Sequence, residues 1–150
     1  MAEIGAELAG EMSGHIFFAD KYYGFDDGLY AAVRLIDILM HSEETLIEMV
    51  DAYPEVSNTP EMRIEVTEER KFDIITEVAA RLQEQGQRYN DIDGVRVMCE
   101  GGWWLLRASN TQAALVARCE ADNEIVLEQM KTQLKDQLAQ SGVAIYSDSN

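Results

Sequence analysis

Between Val95 and Ala121 the chain reads VRVMCEGGWWLLRASNTQAALVARCEA. Three strand-forming runs follow one another with very little chain between them. Asp93-Gly94 opens the first, Gly101-Gly102 separates it from the second, and a short polar stretch leads into the third. A parallel return needs a crossover of about a dozen residues or more, which is not there. The runs must therefore fold back as antiparallel hairpins. The spacing predicts strands ending at Cys99, from Trp103 to Leu106, and from Ala113 to Glu120. A sheet of this kind has to bury one face, so the flanking sequence must supply the cover.

It supplies two helices and a fourth strand. In EMRIEV the apolar residues Met62, Ile64 and Val66 alternate, as in a half-buried strand. From Arg70 to Gln85, residues Phe72, Ile75, Val78, Ala79 and Leu82 recur at helical spacing, and Gly86 is placed to stop the helix. A last helix over Asn123–Gln140 carries Ile125, Val126, Met130, Leu134 and Leu138. The order is β-α-β-β-β-α: an α+β unit with a four-stranded, mostly antiparallel sheet and helices on one face.

Upstream the reading is less complete. GEMSGHIFF (Gly10–Phe18) ends in one strand-like run. GFDDG (Gly24–Gly28) places Asp26 and Asp27 to cap a helix whose apolar face is Leu29, Val33, Ile36 and Met40. Ser42 is expected to cap a second short helix, which Pro54 stops. The strand has no evident sheet partner, and about 55 residues is marginal for an independent core. This part reads as a partial α/β domain, residues 1–55. A connector follows, with the hinge at 56–60 and the chain's two prolines, Pro54 and Pro60, at its ends. The second domain takes 61–150. Residues 61–141 are expected to form the stable core.

Charge narrows the function. Twelve basic residues against 28 acidic ones give a net charge of −16. Such a field repels nucleic acid and anionic membrane surfaces. Base stacking on Trp103 and Trp104 is thereby disfavoured, and one of two adjacent strand residues must face the core in any case. No apolar run approaches the ~20 residues of a membrane span, and the N-terminus lacks the pattern of a signal peptide. A cytoplasmic protein is expected, with Cys99 and Cys119 as free thiols.

Two polar constellations stand out. The first is Arg107, Ser109, Asn110 and Thr111 between two strands. A guanidinium fork, two hydroxyls and an amide suit a phosphate, and a tight loop can aim backbone N–H groups at an anion. On composition alone an ordinary turn, with Arg107 in a surface ion pair, is the simpler reading. The second is Glu11, Ser13, Gly14 and His15. A carboxylate and a hydroxyl can hold sugar hydroxyls, and Gly14 lets the backbone approach closely; a plain loop entering a strand is again the alternative. Ser13 and His15 suggest a nucleophile–base pair, but no third residue to orient the histidine is evident. His15, His41 and Glu11 match no metal-ligand spacing.

GEMSGH, YYGFDDG and RASNT, in this order and separation, resemble the C-terminal part of the α-D-phosphohexomutases, the bacterial phosphomannomutase/phosphoglucomutase type. The resemblance covers essentially the whole chain. It implies a C-terminal fragment: the end of a sugar-binding third domain, a hinge, and a fourth domain with a TATA-box-binding-protein-like fold. It implies that Glu11 and Ser13 bind sugar hydroxyls, with His15 an accessory residue near the sugar. Arg107, Ser109, Asn110 and Thr111 would bind the phosphate that is not transferred. The implied substrates are mannose or glucose 1- and 6-phosphates, interconverted through a phosphoserine and a bisphosphate. The implied cofactor is Mg2+. Neither the family's Thr-x-Ser-His-Asn-Pro motif nor an Asp-Gly-Asp metal loop occurs here, and Gln112 and Ala113 follow Thr111 where proline is frequent. This chain is therefore expected to be inert without the N-terminal domains, and to self-associate through apolar surface of 1–55. A stand-alone interaction or sugar-phosphate-binding domain is the alternative.

Overall fold

The computed structural model describes residues 1–144 except Met12, so Met12 of the GEMSGH motif and residues 145–150 lie outside the described residues. The chain forms two compact units, one up to Pro54 and one from Glu55.

In the first unit, β1 (Leu8–Gly10) and β2 (Ile16–Phe18) form an antiparallel hairpin with Gly10 opposite Ile16. The strand expected to lack a sheet partner thus has one. Leu8-Ala9-Gly10 has one large apolar residue, whereas Ile16-Phe17-Phe18 is a β-branched and aromatic run, which is why only β2 was legible. Helix α1 (Gly28–His41) begins at Asp27, whose carboxylate accepts from the N–H groups of Leu29 and Tyr30, both at 3.0 Å. Only Asp27 of the expected pair is the cap. Helix α2 (Leu46–Asp51) is capped by Thr45 in a capping box with Glu48, not by Ser42, which ends α1. The box satisfies two orphan N–H groups at once, which a lone serine three residues earlier cannot do. Tyr22 stacks on Tyr30 at 3.8 Å, and the Arg34 guanidinium lies 4.5 Å over Phe18. These contacts stand in place of a core, since none of the unit's described residues is buried. The expected face of α1 is open, with Leu29 83% and Met40 77% exposed.

The second unit has a true core. Strands β3 (Ser57–Asn58), β4 (Met62–Glu65), β5 (Tyr89–Asn90), β6 (Val95–Cys99), β7 (Gly102–Ala108) and β8 (Ala114–Ala121) are antiparallel throughout. The order is β5-β6-β7-β8, with β3 and β4 sharing the far edge of β8. The expected connector therefore carries structure. Ser57 and Asn58 pair with Ala121 and Glu120, and buried Thr59 exchanges bonds with the backbone of Cys119 (2.9 and 3.0 Å). Pro60, which has no N–H to offer, falls where the chain passes from β3 to β4.

Helices α3 (Glu68–Glu84) and α4 (Glu124–Gln140) cover one face. Ile74, Val78 and Leu82 of α3 and Leu127, Met130, Leu134 and Leu138 of α4 meet Val97, Trp104, Leu106, Leu115 and Cys119 of the sheet. The longer elements, β4-α3-β6-β7-β8-α4, and the one-sided cover agree with the sequence, while the two-residue strands β3 and β5 widen the expected four-stranded sheet to six strands. Two inward faces differ in detail. Phe72 and Ile125 are exposed, while Ile74 and Leu127 are buried in their place. Residues one or two apart on a helix differ in direction by 100–200°, and the neighbours decide which faces in. Helix α3 starts two residues before the expected Arg70 because Thr67 caps it, and Gly86 (φ 68°) ends it, its N–H bonding Gln83 and that of Gln87 bonding Leu82. Both cysteines are free, Cys119 fully buried.

Candidate functional site

The hairpin β1–β2 presents Glu11–His15 at its tip. Glu11 N–H donates to the His15 carbonyl (2.9 Å) and Gly14 N–H to the Glu11 carbonyl (3.0 Å), so the loop is a tight turn. Gly14 sits at φ 87°, a conformation that costs an L-residue with a side chain roughly 1–2 kcal/mol. Ser13 donates to Glu11 Oε2 at 3.0 Å, not to His15. His15 Nδ1 instead meets Asp26 Oδ2 at 2.5 Å. Asp26 reaches it because the segment before α1 runs beside β2, with Phe17 bridged to Asp26. The Asp26 hydrogen bond, then its charge, raises the His15 pKa above its ordinary value of 6.5. An orienting carboxylate thus exists, eleven residues downstream where no local pattern shows it. Because Ser13 is turned to Glu11, the three do not form a nucleophile triad.

The second group lies at the β7–β8 turn. Arg107, next to last in β7, is on the sheet face away from the helices, opposite Val116, and its Nε is 3.9 Å from Asp93. That separation is a loose ion pair at a partly exposed site, worth little in binding energy. Asn110 and Thr111 are exposed at the tip. Ser109 is buried, and its Oγ accepts from the N–H groups of Thr111 (3.4 Å) and Gln112 (3.2 Å). Its hydroxyl proton is what it has left to offer a ligand. The turn closes where Ser109 N–H donates to the Ala114 carbonyl at 2.9 Å.

One residue the sequence did not single out holds this turn together. Lys71, in the first turns of α3, is 2% exposed. Its Nζ donates to the carbonyls of Ser109 (2.8 Å) and Gln112 (3.2 Å) and pairs with Glu68 at 2.6 Å. A lysine at a core-facing helix position was the available signal, since lysine is almost never buried without partners. Arg118 adds a second cation to the face that carries Arg107. It stands opposite Leu105, two positions from Arg107 along β7, and pairs with Glu120 at 3.5 Å.

The structure therefore groups Glu11, Ser13 and His15 in the first unit, and Arg107, Ser109, Asn110 and Thr111 in the second. No group of three or more His, Cys, Asp or Glu among the described residues could hold a metal ion. His15 is committed to Asp26 and His41 to the Asp37 carbonyl. The described donors do not fit the magnesium implied by the resemblance. No described helix is long and apolar enough to cross a membrane.

A family model described as phosphoglucomutase/phosphomannomutase, C-terminal domain, matches residues 61–137, and one for the alpha/beta/alpha domain III of the same enzymes matches 1–56. A phosphomannomutase/phosphoglucomutase of Pseudomonas aeruginosa is 47% identical over 92% of this chain and 30% of its own length. A phosphoglucomutase of Neisseria gonorrhoeae is 42% identical over 90% of this chain and 30% of its own. The crystal structure of a phosphoglucomutase/phosphomannomutase family protein from Burkholderia thailandensis superposes with a TM-score of 0.80 at 34% identity, covering 99% of this chain and 30% of that one. The chain thus spans about three-tenths of the length of the relatives it matches. With both of its parts matched in order, the chain belongs to the phosphoglucomutase/phosphomannomutase family.

Proposed function

We propose that this chain is the sugar- and phosphate-binding C-terminal part of a phosphomannomutase/phosphoglucomutase. The whole protein would interconvert hexose 1- and 6-phosphates of mannose or glucose through a phosphoserine and a bisphosphate intermediate. Residues 1–55 would be the end of the third domain, 56–60 the hinge and 61–150 the fourth domain. The observation that carries this reading is the β7–β8 turn. In a chain of net charge −16, it combines a guanidinium, hydroxyls and a closed, internally braced loop within the segment that matches the C-terminal domain.

On this reading Arg107 gives a planar fork to the phosphate, and Ser109, Asn110 and Thr111 add neutral donors. Three or four charge-assisted contacts at ~1.5–3 kcal/mol each outweigh the repulsion of a distant acidic surface screened by salt. Glu11 accepts from sugar hydroxyls, with Ser13 held beside it. His15, kept in one orientation by Asp26 and protonated to a higher pH than usual, stands near the sugar as an accessory group. Such sites act by positioning and charge stabilisation. The phosphoserine and the magnesium ion would belong to other segments of the whole protein. The open face of α1 supports self-association of the 150-residue chain. Sedimentation showing a monomer at every concentration would exclude it.

Amide chemical-shift titration with mannose 6-phosphate, and with inorganic phosphate as control, tests the reading. Saturable shifts over residues 107–112 are expected with both ligands, and over 11–15 with the sugar phosphate only. No shift at millimolar ligand refutes it. The purified chain alone is expected to show no mutase turnover above a blank.

A further inference from the structure

We infer that Lys71 is a positioning residue for the anion at the β7–β8 turn: by drawing the Ser109 and Gln112 carbonyls inward, it turns the backbone N–H groups of Asn110 and Ala113 outward as donors. This rests on the anion-binding reading of that turn.

The argument is geometric. The described residues contain no cis peptide bond, and in a trans peptide the C=O and N–H point in opposite directions. The Ser109 carbonyl faces the buried Lys71 Nζ at 2.8 Å, so the N–H of Asn110, on the same peptide plane, faces the other way. The Gln112 carbonyl accepts from both Lys71 Nζ (3.2 Å) and Ala114 N–H (2.9 Å), so the N–H of Ala113 is also turned out. The intervening N–H groups, of Thr111 and Gln112, are held by Ser109 Oγ. Asn110 and Ala113 are both exposed residues, at the outer side of the turn from which Lys71 is excluded. The Lys71 ammonium has three donors and no acceptor, and two of the three are spent on the two carbonyls that set the loop. Glu68 takes the remaining direction from a mostly exposed position.

The test separates the Lys71 inference from the reading beneath it. In the ligand-free chain the amides of Asn110 and Ala113 should exchange with solvent faster than those of Thr111 and Gln112. Protection of Asn110 and Ala113 overturns the inference whatever the loop binds, and this measurement decides alone if a Lys71 variant does not fold. In titration with inorganic phosphate, both amides should shift saturably. Lys71→Met should weaken phosphate binding about tenfold or more, the equivalent of one charge-assisted hydrogen bond, and abolish the Asn110 and Ala113 shifts. Glu68→Gln, which leaves Lys71 and both carbonyl contacts in place, should keep the wild-type affinity. A folded Lys71→Met chain that binds phosphate as the wild type does overturns the inference. Absence of any phosphate-dependent shift in the wild type overturns the anion reading itself, while fast exchange at Asn110 and Ala113 in that sample would still support the orienting effect of Lys71.

Discussion

Replacing Gly94 with alanine should strike the fold and the candidate phosphate site together. Gly94 has φ 81°, and an alanine Cβ there would stand 2.4 Å from the Leu106 carbonyl oxygen and 2.7 Å from both Cα and Cβ of Arg107. These are largely backbone atoms of β7, locked by the pairing of Val95 with Leu106. They cannot move aside as a flexible side chain could. The left-handed conformation costs about 1–2 kcal/mol and the forced overpacking about 1–3 kcal/mol more, so Gly94→Ala should destabilise by about 2–5 kcal/mol. For a unit of this size a central value of about 3 kcal/mol corresponds to a fall in Tm of about 12–24 °C. Both tryptophans, Trp103 and Trp104, lie in the second unit, so their fluorescence follows its thermal unfolding. Gly86→Ala is the control. Gly86 also has positive φ (68°), but nothing lies within 4 Å of the added Cβ, so only the conformational cost of about 1–2 kcal/mol remains. If the two variants melt within about 0.5 kcal/mol of each other, the packing argument is wrong and backbone strain alone explains both.

Three further outcomes are expected. Ser109→Ala removes the acceptor for the Thr111 and Gln112 N–H groups, and should cost about 1–3 kcal/mol with faster amide exchange confined to that turn; unchanged exchange refutes the bracing role. Asp26→Asn should lower the His15 pKa back toward 6.5, followed by the imidazole proton shifts in NMR, because Asp26 is the main cause of its rise. Since the folded pKa is the higher one, the pair's contribution to stability is fully present below pH ~6.5 and is lost as pH climbs through the raised value; an Asp26→Asn chain that loses stability equally at pH 5 and pH 9 contradicts this. With a thiol reagent at pH 8, Cys99 should react first, and Cys119, whose pKa burial pushes up to about 11, only on unfolding. Equal rates for the two thiols would show that the core admits solvent.

The second unit was largely legible because its signals are local. Three strands with little chain between them can only pair antiparallel, Gly86 and Asn123 mark helix ends by their own chemistry, and alternation sends Trp104 inward and Trp103 outward. The polar clusters from Arg107 to Thr111 and around Glu11 could be singled out as candidates because each lies within a few positions of its neighbours. Short-range pattern failed where a partner is distant. Strand β1 was missed because Leu8-Ala9-Gly10 lacks the β-branched and aromatic residues that mark a strand. Ser57–Asn58 read as connector because only the edge of β8, about 60 residues away, makes them a strand. Asp26 read as a second helix cap until its distance to His15 assigned it otherwise.

The sequence by itself determined the order of the longer elements of the second unit, the antiparallel hairpins, the acidic surface and the two polar constellations, since each follows from neighbours along the chain. Only the tertiary structure decided which side of each helix faces in, exchanging Phe72 for Ile74 and Ile125 for Leu127. Only it placed Lys71 beneath a turn 38 residues away in sequence. The physical reason is the same in both cases. A helix face or a buried ammonium is selected by the groups that surround it after folding, because desolvation penalises any polar group that arrives without partners, and those partners come from elsewhere in the chain.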